Sequence, residues 1–120
     1  MAGVHRTAPV VTRDDWSLAA RPDIGGLDPA TRVALADAWT TDALAEHASI
    51  AAFARFVLHL LAVGAPPGLL RDAQQALADE IDHAARTFGL ASAYAGRAVG
   101  PGPIDIRHLN ALRFVAAMIG

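Results

Sequence analysis

A glutamate and a histidine three residues apart form the strongest chemical signal in this sequence. Glu80 and His83 belong to the run DEIDH at positions 79–83. Side chains three apart on a helix project from one face, so both can reach one metal ion. Glu46, in the preceding helical segment, supplies a further carboxylate. We therefore predict Glu46, Glu80 and His83 as metal ligands.

The rarity of glutamate strengthens this prediction. Of twelve acidic residues ten are Asp and only two are Glu, although Glu is the better helix former. A single glutamate–histidine pair on a helix is most often a solvent-exposed pair. Both glutamates here stand within apolar stripes, where an uncompensated carboxylate is costly. This placement favours a bound cation.

The three predicted ligands also lie at similar distances from a predicted turn at residues 64–67. Glu46 precedes the turn by 18 residues, and Glu80 and His83 follow it by 13 and 16. At about 1.5 Å per residue these separations are roughly 27, 20 and 24 Å. If the two helices pack antiparallel, the three side chains meet within about one helical turn.

Capping signals define two helices and an all-α fold. Asp28 is a helix N-cap with Pro29 at the first helical position, and Gly64 with Pro66 ends that helix, which predicts a helix over 29–63. Pro67 opens the second helix, which should end near Gly96. Apolar and small residues recur at helical spacing in each segment. The inward-facing stripe, or seam, of the first helix comprises Leu35, Trp39, Asp42, Ala43, Glu46, Ser49, Ile50, Phe53, Val57 and Leu60. That of the second helix comprises Leu70, Ala73, Ala76, Leu77, Glu80, His83, Ala84, Thr87, Leu90, Ala91 and Tyr94.

The segments outside the hairpin are short. Residues 1–27 have no sustained helical period, and we expect an irregular N-terminal arm that packs Trp16 against the helices or a partner, or else a disordered leader. The predicted hairpin domain covers residues 28–100. Residues 101–120 should form a loop and a short amphipathic helix over 105–119, capped by Asp105.

Composition narrows the range of functions. The chain has 53% hydrophobic residues, a formal net charge of −2, no lysine and no cysteine. The basic residues are scattered and form no stripe, so they predict neither a nucleic-acid partner nor binding to anionic lipid. The absence of cysteine excludes disulfides and thiolate metal sites. The longest apolar run, near residues 56–65, is interrupted by His59 and is too short to span a bilayer. We expect a cytoplasmic protein with no membrane partner.

The motifs resemble those of the ferritin-like superfamily of di-iron carboxylate proteins. They read W-x-x-D-A-x-x-E-H-A-S at 39–49, G-A-P at 64–66 and D-E-x-x-H-A at 79–84. The resemblance looks closest to bacterial ferritin-like domains and covers roughly residues 30 to 100. It implies a four-helix bundle with a buried dinuclear centre, two iron ions (or manganese), and ferroxidase or oxygen-activating oxidoreductase chemistry with dioxygen or peroxide.

The resemblance also implies a role for each site residue. Glu46 matches a terminal ligand, Glu80 the carboxylate that bridges both metals, and His83 the nitrogen ligand. Asp79 matches an outer-shell aspartate that orients a ligand histidine. His47 lies about 100° around the helix from Glu46, so surface or outer-shell hydrogen bonding is the better interpretation there. His59 should point away from the site and be exposed.

The chain carries only half of the ligand set of such a bundle, which consists of two Glu and two Glu-x-x-His motifs. The simplest completion is a homodimer with the metal site at its twofold interface, where Asp79 could reach the partner's His83. Two alternatives remain open. The chain could be a metal-free helical interaction module, or one half of a larger di-iron enzyme.

Overall fold

Two long helices packed side by side make up most of the structure. The computed structural model describes residues 7–107. In chain order it has a short strand β1 (Val10–Val11), helix α1 (Pro29–Ala62), helix α2 (Pro67–Ala95) and a short strand β2 (Gly100–Pro101). The all-α class is confirmed. The predicted helix over 105–119 lies outside the described residues except for a turn at its start, where Asp105 Oδ1 accepts a hydrogen bond from the Arg107 amide at 2.9 Å.

Helix ends follow the capping signals to within one residue. Pro29 occupies the first turn of α1 after an extended Asp28. Gly64 and Gly96 take the left-handed conformation, with φ of 72° and 69°, immediately beyond the two helices. Glycine adopts this conformation without the steric cost that a Cβ imposes, so it ends a helix well. The predicted bounds, 29–63 and from 67 to near Gly96, are confirmed.

The helices run antiparallel because only four residues connect them. At the far end of the pair Arg32 Nε donates a hydrogen bond to the Tyr94 carbonyl oxygen at 2.8 Å, which ties the start of α1 to the end of α2. Four alanines of the predicted seams are buried, and small side chains allow close approach of two helices. They are Ala43, Ala73, Ala84 and Ala91.

The N-terminal arm crosses α2 and pairs with the segment after it. Strand β1 runs antiparallel to β2, with Val10 opposite Pro101. Further along, the Leu18 amide donates to the Ala85 carbonyl oxygen at 3.0 Å. The sequence predicted an irregular arm and a loop at these positions, and it did not predict the two-residue β-ladder that joins them. It joins segments about ninety residues apart, which no local sequence pattern encodes.

One glycine makes this crossing feasible. A Cβ at Gly89 would stand 1.8 Å from the Leu18 carbonyl oxygen, far inside van der Waals contact. Beside it Phe88 is fully buried, and its ring centroid lies 6.3 Å from that of Trp16. The expected packing of Trp16 against the helices is confirmed. Phe88 was absent from the predicted seam, and it is buried between Trp16 of the arm and His47 of α1.

Helix α1 is long and apolar enough to cross a membrane by length and composition alone. It contains an 18-residue window with a mean hydropathy of 1.3, of which no residue is buried. Core helices of soluble proteins reach the same length and hydropathy. The cellular location stays a prediction.

Candidate metal centre

The three predicted ligands come together in the middle of the hairpin. Glu46 on α1 and Glu80 and His83 on α2 each place one ligand atom within 4.8 Å of the others. Within residues 7–107 no other group of three His, Asp or Glu side chains converges in this way. The predicted meeting of the three side chains is therefore confirmed. Metal ligation itself stays a prediction.

Helix geometry explains the convergence. Glu80 and His83 lie one turn apart, with His83 Nδ1 at 3.7 Å from Glu80 Oε2. Glu46 comes opposite them because the short turn sets the antiparallel register of the two helices. The site is therefore built on two rigid elements and not on loops.

Burial differs sharply among the three ligands. Glu80 is well covered, with 14% of its side chain exposed, whereas 56% of the His83 side chain is exposed. Glu46 is half-buried. His83 is open because its side of α2 is covered neither by α1 nor by the arm. The cluster thus opens to one side of the hairpin.

Glu46 raises the pKa of the Glu80 carboxyl group. A hydrogen bond with Glu46, then burial and the negative charge of Glu46, raise the pKa of Glu80 to about 7. His83 opposes this rise and does not cancel it. The charged form of Glu80 is therefore disfavoured near neutral pH beside Glu46. Two carboxylates and one imidazole without thiolate suit iron, manganese or zinc, so these residues fit a divalent transition metal.

His47 faces away from the ligands and toward the arm. Its ring meets Trp16 edge-on with centroids 5.1 Å apart, and Phe88 lies 6.5 Å away. Its Nδ1 atom is buried without a hydrogen-bond partner. Burial, and secondarily the charge of Arg13, lowers the pKa of His47 and favours the neutral ring. An outer-shell role for His47 stays a prediction.

Two other polar side chains were assigned from the sequence. Asp79 is exposed, and its Oδ1 accepts a hydrogen bond from Gln75 Nε2 at 2.9 Å. Its proposed contact with a partner's ligand histidine is not tested within one chain. His59 was expected to be exposed, and this was wrong, since its side chain is half-buried and its Nε2 atom is buried.

The aromatic cluster of Trp16, His47 and Phe88 was not predicted as a unit. It fastens the arm beside Glu46, so it supports the helix that carries a ligand. Gly89 was the available signal, because a glycine inside a helix costs stability and can mark a close approach of another segment.

Comparisons with protein families, curated proteins and solved structures returned no match. The resemblance to ferritin-like proteins therefore remains a hypothesis carried by the motifs alone.

Proposed function

We propose that this chain is a ferritin-like dinuclear metal protein whose site is completed by a second copy, and that it acts in iron oxidation or oxygen activation. The observation that supports it best is the convergence of Glu46, Glu80 and His83 within 4.8 Å at the centre of two packed helices. Carboxylates that converge by chance on a protein surface are seldom as well covered as Glu80 is.

The electrostatics of Glu46 and Glu80 also support a metal site. A carboxyl group whose pKa is raised to about 7 by a second carboxylate is destabilised in its charged form. A divalent cation would relieve this repulsion in place of the proton on Glu80. Glu46 and Glu80 would hold the metal through oxygen and His83 through nitrogen, and iron when bound supplies the redox chemistry toward dioxygen or peroxide.

The open face of the hairpin supports a second copy as the partner. We define this face by two seven-residue series, Glu46, Phe53 and Leu60 on α1, and Leu69, Ala76 and His83 on α2. Residues seven apart share one side of a helix, so the metal ligands and these apolar residues lie on the same face. An apolar groove of about 300 Å³ lies between Phe53, Leu60, Leu69 and Ala76.

A twofold dimer through this face would bury the groove and bring two Glu46, Glu80 and His83 sets together. Two such sets contain four carboxylates and two imidazoles, which is the ligand number of a complete di-iron bundle. The same face also suits the alternatives, a metal-free interaction module or a complementary half of a larger enzyme. Metal content and partner identity separate the three.

The deciding experiment is an anaerobic titration with ferrous ion, followed by exposure to oxygen. We expect one iron per chain, a dimer by sedimentation, and oxygen consumption that depends on bound iron. Glu80→Ala should bind no iron, whereas the matched variant Asp82→Ala, which alters an exposed carboxylate two residues away, should bind normally. A dimer that takes up no iron would support the interaction module. A monomer that takes up none would defeat both.

A further inference from the structure

The turn end of the hairpin carries the longest stretch of sequence without a charged residue. Residues 56–70 contain no Asp, Glu or Arg, and the stretch is bounded by Arg55 on α1 and Arg71 on α2. We call residues 56–70 the hairpin tip. Its composition suits an apolar environment better than water.

Large apolar side chains of the tip are exposed in the structure. Leu58, Leu61 and Val63 are 43%, 57% and 63% exposed, and none of them lines the groove of the open face. At about 100° per residue, Leu58, Leu61 and Val63 point in different directions around α1. A helix end that is apolar all round cannot be covered by a partner on one face alone, so the open face of the hairpin does not account for this tip.

The backbone of the turn is nearly free of unpaired donors. The amide groups of residues 63–65 donate to carbonyl oxygens of the last turn of α1 at 2.9 to 3.2 Å. Pro66 and Pro67 have no amide hydrogen, and the amides of residues 69 and 70 donate to the Pro66 carbonyl oxygen at 3.1 and 3.4 Å. In an apolar medium each unpaired donor is costly, so this turn can leave water at low cost.

The charges at the rim of the tip suit an anionic surface. Arg71 is exposed, and together with Arg55 and Asp72 it gives the rim of the tip a net positive charge. Arginine can keep its guanidinium among phosphate headgroups while its stem lies along apolar surface. From Leu58 to Val63 the tip extends about 8 Å along the helix, comparable to the roughly 5–10 Å to which interfacial elements penetrate.

We propose that the hairpin tip inserts into the surface of a bilayer that contains anionic lipid, with Arg71 at the headgroups. This changes the expectation of no membrane partner, which rested on the absence of a spanning segment and on basic residues too scattered to form a stripe for anionic lipid. Insertion of the tip requires no spanning segment. It also leaves Glu46 and Glu80 outside the hydrocarbon, and it does not depend on whether a metal binds.

The test is co-sedimentation of the full chain with two kinds of vesicle, phosphatidylcholine alone and phosphatidylcholine with one-quarter phosphatidylglycerol. We expect binding to the anionic vesicles that weakens with added salt. Val63→Asp and Leu61→Asp should each reduce the affinity by roughly tenfold or more, because each replaces an inserted apolar side chain by a charge. Val33→Asp, at a 60% exposed position near the other end of α1, should bind like the wild type.

Arg71→Gln should lower affinity for anionic vesicles alone, whereas Arg86→Gln, farther along α2, should not. Circular dichroism of each variant checks that the helices remain. Absence of binding to either vesicle would overturn the proposal, and so would equal losses in Val33→Asp and Val63→Asp. Self-association that Val63→Asp abolishes, with no vesicle binding, would assign the tip to a second copy instead.

Discussion

The carboxyl group of Glu80 is held against that of Glu46 across the helix pair, and this contact is the largest cause of the rise in the pKa of Glu80 to about 7. The two groups come from helices joined by a four-residue turn. The hairpin geometry therefore holds the two carboxyl groups close together, and their repulsion makes the stability of the chain depend on pH and on cations.

The metal-free protein should lose stability as the pH rises from 5 to 8. Glu80 binds its proton more tightly when folded than when unfolded, so its favourable contribution is complete below its ordinary pKa, near 4.5, and is lost as the pH passes about 7. After allowance for solvent screening, we expect a decrease of about 1–2 kcal/mol in the free energy of unfolding. Urea unfolding with a chelator at both pH values measures it. Glu80→Gln is the control, and an equal decrease in that variant would refute the assignment to Glu80.

Removal of any one ligand should abolish metal binding without unfolding the chain. Glu46→Ala, Glu80→Ala and His83→Ala are each expected to lose bound iron or manganese, and the two glutamate variants should be at least as stable as the wild type without metal, since a repelling carboxylate is gone. Metal analysis and thermal unfolding of each purified variant provide the readouts. Full metal occupancy in Glu80→Ala would remove that residue from the site.

Ferrous or manganous ion should raise the melting temperature of the wild type. A ligand that binds only the folded state stabilises it by about 2.7 kcal/mol at a hundredfold excess over its dissociation constant. Magnesium should have a much smaller effect, because imidazole is a poor ligand for it. Differential scanning calorimetry with each ion gives the comparison. Superimposable curves with and without all three ions would favour the metal-free interaction module.

Gly89→Ala should detach or displace the arm. The new Cβ would overlap the Leu18 carbonyl oxygen, so either the backbone moves or the hydrogen bond from Leu18 to Ala85 is lost. We expect a loss of about 1–3 kcal/mol in unfolding free energy and a change in Trp16 fluorescence. Gly68→Ala is a matched control, since nothing lies within 4 Å of its Cβ position in the first turn of α2. A Gly89→Ala variant as stable as Gly68→Ala would contradict the close crossing.

Much of the hairpin could be predicted from single residues and their spacing. Proline and glycine mark helix ends through backbone sterics, which act locally, so positions 29, 64, 67 and 96 were readable without a structure. The meeting of Glu46 with Glu80 and His83 was also predictable, because the rise per residue and a short turn set the height of each side chain.

The tertiary structure alone decided what covers each face. Phe88 is buried and His83 is half exposed, although His83 was the one expected on the seam. The reason is that the arm returns across α2 at Gly89 and pairs Val10 with Pro101, contacts between residues more than seventy positions apart. Helical periodicity reports which residues share a side of one helix. Which side becomes buried depends on the segments that pack there, and long-range packing leaves no periodic trace in the sequence.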